Sequence, residues 1–175
     1  MAMGEEARAL DGNVQLSPTA GPLGQIPAAG RHWEGFGSIF SWNRHAGDHR
    51  GNAEGTGVQA CAKHYILTEQ EHRRQSMSSN ADDRTMHERY VWPFADFVRA
   101  NVALVMCSYS RVNSVYACEN DVIMNCLTKE ELNFAHFNKK SENTGLDMAM
   151  PGDGMGDGYF LWKPESIQSR ESASL

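Results

Sequence analysis

Among its cysteines the sequence has no pair at metal-ligand spacing. Its four cysteines, Cys61, Cys107, Cys118 and Cys126, form no CxxC or CxxH motif, which argues against a zinc site. No Asn-x-Ser/Thr sequon occurs, so glycosylation gives no pointer to secretion. No apolar run approaches the length of a transmembrane helix, and the opening MAMGEEARALDG is amphipathic rather than a secretion signal. The chain as written is therefore expected to be neither membrane-inserted nor exported. A basic stripe is missing as well: the net charge is −6 with Lys and Arg scattered, which excludes nucleic acid as an expected partner. What is present is the composition of an ordered domain, 41% hydrophobic and 22% charged. At 175 residues the chain can bury a real core but is shorter than a typical complete α/β barrel of roughly 250 residues.

The stretch that organises the chain is 57–75, GVQACAKHYILTEQEHRRQ. Val58, Ala60, Ala62, Tyr65, Ile66 and Leu67 form an apolar run that Lys63 and His64 interrupt. Placing a cation and an imidazole at the end of a buried strand has a desolvation cost that is met where they bind a ligand or find partners. Binding groups at the carboxyl ends of parallel strands are the habit of α/β sites. A core histidine beside a snorkelling lysine is the plainer alternative, and the residues alone leave both open.

The remaining pattern predicts alternating strands and helices. Residues 1–10 read as the last turns of a helix, and Asp11-Gly12 turns into a short strand at 14–16. A Pro/Gly loop follows, then GRHWEGFG, where Arg31, His32, Trp33 and Glu34 stand together; Trp33 suits either a sugar contact or packing beneath a loop. Asp82 or Asp83 caps a helix with Met86, Tyr90, Val91, Phe94 and Val98 at helical spacing, which Pro93 is expected to kink or divide. Residues 102–109, VALVMCSY, have the pattern of a buried parallel strand. Thr128 and Glu131, in capping-box spacing, predict a short helix over 128–134, and 145–151 resemble another strand. The order implies an α/β architecture with right-handed crossovers. Cys107 and Cys118 flank a polar turn and could close a small loop by a disulfide in an oxidising compartment. Cys61 and Cys126 read as reduced, buried thiols.

Four stretches together resemble the fungal β-glucosidases of family 3 of the glycoside hydrolases. They are NVQLSPTAGPLG, GRHWEGFG, the long run from GVQACAKHYILTEQEHRRQ through VMCSYSRVNSVYACEND, and GLDMAMPGDG, in the family's order and covering about two thirds of the chain. The resemblance implies a partial TIM-like (β/α)8 barrel with about four of eight strands, spanning 1–162, with 38–54 as an atypical loop and 163–175 as a disordered tail. It implies retaining hydrolysis of terminal β-D-glucosyl residues without cofactor or metal, the partner being a small β-glucoside or oligosaccharide, in a family whose members are often secreted. Carried over by motif, Arg31, Lys63 and His64 would hydrogen-bond sugar hydroxyls, while Met106 and Tyr109 would line the pocket. Arg74 is a weaker candidate whose alternative is an ion pair with Glu69 or Glu71. Successive strand residues face opposite ways, so Lys63 and His64 can serve one sugar only if the backbone between them departs from regular strand. The family carries a non-proline cis peptide at this pair.

Two departures from the family stand out. Retaining glycosidases need two carboxyl groups about 5–5.5 Å apart. The family's nucleophile is the Asp of a Ser-Asp-Trp motif expected soon after KEELNF, and the sequence there runs AHFNKKSENTGLDM instead. The family's acid/base glutamate belongs to its second domain. Asp147, Glu69 and Glu71 are expected to be structural, so no catalytic residue is assigned and this polypeptide is expected to be inactive. Secondly, Trp42 to Ala53 replaces an amphipathic helix of the family. Codons able to encode that stretch, read one base later, permit Gly-Ile-Ala-Met-x-Glu-Thr-Ile-Glu-Gly-Met-Gln, which is the missing helix. The alternative expectation is therefore a non-catalytic fragment from a frameshifted or misread gene, at most a weak sugar-binding remnant.

Overall fold

The computed structural model describes residues 2–22, 29–35 and 56–134. The atypical loop 38–54, the strand expected at 145–151, the domain end at 162 and the tail at 163–175 lie outside them.

Helix α1, Ala2–Ala9, places Glu5 in its first turn and Arg8 in its last, matching the helix dipole. Asp11 then takes a left-handed backbone (φ 59), and the Gly12 N–H donates to the Ala7 carbonyl at 2.8 Å. Strand β1, Val14–Gln15, is one residue shorter than expected. It pairs in parallel with β2, Gln59–Tyr65, which pairs in parallel with β4, Leu104–Cys107. The order β1-β2-β4 makes β2 the middle strand among the described residues. Six consecutive residues of β2, Ala60 through Tyr65, are buried, as expected when both faces of a parallel strand are covered. Strand β4 departs from expectation: all four of its residues are only half-buried. Its apolar run does form a parallel strand, but at the edge of the described sheet rather than in its centre.

The capped helix, α2, is assembled from three pieces: Asp83–Thr85, a wider π-helical stretch Met86–Val91, and Trp92–Arg99. Asp82 is the cap, its carboxylate accepting from the Thr85 N–H at 2.8 Å and the Thr85 hydroxyl at 3.0 Å. The division falls beside Pro93, which sits in the first turn of the last piece, where its missing N–H costs nothing. The wide turn explains why Met86 and Val91, five positions apart, are both buried. It also brings Phe97 into the core, with the expected core residue Val98 only half-buried.

Phe94 meets Tyr65 of β2 edge to face at 4.7 Å, sealing α2 against the sheet in a core that also contains Ile66, Leu67, Val112, Ile123 and Leu127. Replacing Phe94 by Ala is expected to destabilise the chain by about 3–5 kcal/mol. Urea unfolding measures this directly, and a loss below about 1 kcal/mol would mean that α2 does not close this core.

The second helix prediction needs correction. Helix α3 runs Val122–Glu131 with π-helical winding, so Thr128 lies near its end rather than at its start. The Asn120 side chain accepts from the Ile123 N–H at 3.3 Å, and Ile123, Met124 and Leu127 supply the buried face. Thr128 Oγ1, itself buried, donates back to the Ile123 carbonyl at 2.7 Å, so it serves the preceding turn and not a new one. His87 links the two helices. It donates from Nδ1 to the Asp83 carbonyl at 2.8 Å and contacts Glu131 through Nε2 at 3.0 Å, and these contacts raise its pKa.

A smaller sheet joins β3, Ser78–Ser79, in parallel to β5, Arg111–Val112, which forms a hairpin with β6, Val115–Tyr116. Its turn residues, Asn113 and Ser114, are both left-handed (φ 50 and 75), the geometry of a two-residue hairpin turn. A disulfide between Cys107 and Cys118 spans this hairpin, with Cα atoms 5.4 Å apart. Cys61 is buried and Cys126 half-buried, so the expectation of a buried thiol at Cys126 is only partly met. Among the described residues no helix is long and apolar enough to cross a membrane.

Candidate functional site

The site forms at the carboxyl end of β2. Two features of backbone turn its residues to one place. The register with β4 shifts between Lys63 and Tyr65, and the Lys63-His64 peptide is cis, as is Tyr65-Ile66. The segment after β1 closes the near side: the Lys63 N–H donates to the Pro18 carbonyl at 3.0 Å, and the Ala20 N–H donates to the Lys63 carbonyl at 2.5 Å. Lys63 and His64 are both buried, at 6% and 5% exposure.

The turn Ala29–Glu34 delivers the second group of side chains. Gly30 and Arg31 both adopt left-handed backbone, φ 63 in each case. For arginine that conformation is uncommon and persists where surrounding structure imposes it. The surroundings here are tight. His32 is buried, donates from Nε2 to the Thr68 carbonyl at 3.1 Å, and packs against Gly21 and Gly30. The Arg31 side chain forks onto Glu34, Nε to Oε1 at 2.5 Å and Nη2 to Oε2 at 2.8 Å. Lys63 Nζ donates to the same Oε2 at 2.8 Å. One carboxylate therefore joins the turn to the central strand.

The third group follows β4. Met106 lies in register with Lys63. Ser108 and Ser110 are buried, their hydroxyls 3.0 Å apart, and Ser108 Oγ donates to the Ile66 carbonyl at 3.0 Å. Tyr109, between these two anchors, is turned outward and 40% exposed. The Arg74 guanidinium lies over its ring, 4.5 Å from the centroid, and pairs with Glu71 at 2.8 Å. Of the two partners weighed for Arg74 the structure has Glu71, without removing Arg74 from the site's edge.

The electrostatics follow from this arrangement. The hydrogen bonds from Arg31, then those from Lys63, hold the Glu34 carboxyl down at about 2 against the opposing effect of burial. Arg31 is raised chiefly by the same carboxylate and, more weakly, by Glu71 and Tyr109. Burial, followed by the nearby charges of Arg31 and Lys63, pushes His64 down to about 3, so it is a neutral imidazole at physiological pH. Its Nδ1 has no hydrogen-bond partner among the described residues. Burial pushes the Cys61 thiol up to about 11, which makes it a poor nucleophile.

The sign of the His64 contribution to stability is set by its depressed pKa. The unfolded chain takes up a proton near 6.5, whereas the folded chain does not until about 3. The unfolded state thus binds more protons in that window, and stability is lost as pH falls through it. Denaturant melts across the window are expected to show this loss, and His64→Gln to flatten it. Equal slopes for the two proteins would show that His64 is not held neutral.

The structure brings Arg31, Lys63, His64, Met106, Tyr109 and Arg74 to one end of the sheet. Glu34 was not recognised in the sequence as part of the site. The available signal was a carboxylate three residues after an arginine, in a loop expected to meet the Lys63-His64 pair. Trp33, between them, is 73% exposed and does not pack beneath a loop among the described residues. No group of three or more His, Cys, Asp or Glu side chains able to hold a metal occurs among the described residues.

Residues 1–137 match the model of the Glycosyl hydrolase family 3 N terminal domain. "Probable beta-glucosidase L" of Aspergillus terreus is 50% identical over 99% of the chain and 25% of its own length. The crystal structure of a beta-D-glucoside glucohydrolase from Trichoderma reesei superposes with a TM-score of 0.81 at 45% identity, over 97% of this chain and 25% of that one. A more distant structure, the beta-glucosidase DesR of Streptomyces venezuelae in complex with D-glucose, gives a TM-score of 0.68 at 29% identity, covering 75% of this chain and 17% of that one. The chain spans about a quarter of the length of its fungal relatives. On the extent of the family match and its identity to these fungal β-glucosidases, the chain belongs to family 3 of the glycoside hydrolases, whose N-terminal domain it matches.

Proposed function

We propose that this end of the sheet is the glucosyl-binding face of a β-glucosidase barrel. On this reading β1, β2 and β4 belong to a partial (β/α)8 barrel, the chain supplying about four of eight strands in the domain over 1–162. The observation that carries the proposal is the Arg31-Glu34-Lys63 cluster beside neutral His64. Charged donors fixed by a carboxylate, next to a ring nitrogen free to accept or donate, suit a ligand covered in hydroxyls. Arg31, Lys63 and His64 bond the sugar, Met106 and Tyr109 line the pocket, and Arg74 supports Tyr109 from the rim. The complex of a relative with D-glucose supports the ligand class. The Cys107-Cys118 bridge fits an oxidising compartment.

The family's reaction is retaining hydrolysis of terminal β-D-glucosyl residues. This polypeptide is proposed to bind without hydrolysing, because the sequence after KEELNF contains no Ser-Asp-Trp and therefore no nucleophile at the family's position. A second reading, favoured by the fact that codons able to encode 42–53 permit the family helix when read one base later, is a non-catalytic product of a frameshifted or misread gene. Two measurements separate these. The chain is expected to bind D-glucose by calorimetry and to release no nitrophenol from 4-nitrophenyl β-D-glucoside; turnover would overturn inactivity, and absence of binding would overturn the sugar site. Transcript sequencing across the codons for 37–57 and 134–143 shows whether the helix and the Ser-Asp-Trp strand exist in the message.

A further inference from the structure

We propose that Glu34 is a positioning residue, whose carboxylate holds the Arg31 guanidinium and the Lys63 ammonium at one separation so that their remaining N–H groups meet a bound sugar together. The proposal rests on the reading of this face as a glucosyl site and adds to it a residue that acts through two others.

Both oxygens of Glu34 are engaged, Oε1 by Arg31 and Oε2 by Arg31 and Lys63. Among the described residues it is the one carboxylate bonded to both cations. Arg31 and Lys63 are like charges on long side chains from different segments, and without an anion between them they would repel and sample many rotamers. The side chains of Lys63 and Glu34 are largely buried, at 8% and 19% exposure, so water screens the repulsion poorly. Other charged or titratable groups bearing on the cluster are Cys61, His64, Glu71, Arg74 and Tyr109, and the one carboxylate among them, Glu71, is already paired with Arg74.

Independent support comes from the backbone. Glu34 is bracketed by glycines with no room for a side chain: a Cβ on Gly35 would lie 2.1 Å from the Thr19 carbonyl oxygen, and one on Gly30 would lie 1.7 Å from that of Thr68. Thr19 is bridged to Lys63 in parallel fashion, so the clamp that fixes Glu34 is built on the same residue its carboxylate holds. A surface ion pair needs no such anchoring.

The test uses the full chain labelled with 15N-arginine, D-glucose as probe, and three variants: Glu34→Gln, Glu34→Ala and, as a control at an exposed ion pair, Glu88→Gln. The Arg31 Nε–H, identified by its loss in Arg31→Lys, is expected to exchange slowly in the wild type and in Glu88→Gln. In Glu34→Gln it is expected to exchange rapidly, with glucose affinity reduced at least about tenfold. In Glu34→Ala, added formate is expected to recover part of the affinity by restoring a carboxylate, which a general loss of packing would not permit. If Glu34→Gln frees the Arg31 Nε–H and glucose binds unchanged, the positioning role is overturned while the sugar site stands. If the wild type shows a protected Arg31 Nε–H but binds no glucose, the sugar reading fails and takes the proposal with it.

Discussion

Replacing Lys63 by methionine is expected to lower the affinity for D-glucose by about 10- to 100-fold while leaving the chain folded. The magnitude is that of one hydrogen bond from a charged donor in a water-poor site. Methionine keeps much of the aliphatic stem, so the volume at the end of β2 is nearly conserved. Glu34 loses its bond from Lys63 Nζ but keeps both bonds from Arg31, so no carboxylate is left buried and alone. The same substitution removes one of the charges that depress His64, whose titration should move upward, though burial remains the larger cause. Titration of D-glucose into the two proteins, followed by calorimetry, measures the first effect, and NMR of the His64 ring the second. Unchanged glucose affinity would show that Lys63 is only a strut for Glu34.

The second large effect is expected on stability. Gly30→Ala should destabilise the chain by about 3 kcal/mol or more, enough to lower the melting midpoint by about 10 °C. The first reason is conformational: φ is +63, where a Cβ is disfavoured. The second is steric and dominates. An added Cβ would stand 1.7 Å from the Thr68 carbonyl oxygen and 2.4 Å from Nε2 of His32, the very atoms that bond each other. Relief requires moving backbone or breaking the His32–Thr68 bond, which leaves a half-buried carbonyl and a buried ring N–H unpaired. Gly12→Ala is the comparison, because its Cβ would reach no closer than 3.0 Å to Ala7 O. Thermal unfolding of both variants distinguishes the cases. A midpoint for Gly30→Ala within a few degrees of wild type would mean that this turn is free to shift.

Legibility followed the range of the interaction. The Asp82 cap, the turn at Asp11-Gly12 and the break near Pro93 were readable because each depends on a few adjacent residues. Phe97 falls outside the expected face because an α-helical period does not hold where α2 winds more widely, and Thr128 because its capping-box spacing with Glu131 coincides with the end of a helix whose preceding turn its hydroxyl serves; packing decides both. The half-burial of β4 was equally out of reach, since an apolar run shows that a strand seeks cover without showing which neighbours supply it.

The candidate site divides in the same way. By itself the sequence determined the family, and with it the residues proposed here as binding groups, because motifs such as GRHWEGFG and AKHY are local and survive reading one residue at a time. It also determined that KEELNF is not followed by Ser-Asp-Trp. Only the tertiary structure decided that Glu34 joins Arg31 to Lys63, that Arg74 faces Tyr109, and that His64 is neutral. Those facts are products of distance and burial between segments far apart in the chain. Charge pairing falls off over a few ångströms and desolvation depends on every covering atom, so neither can be read from the order of residues alone.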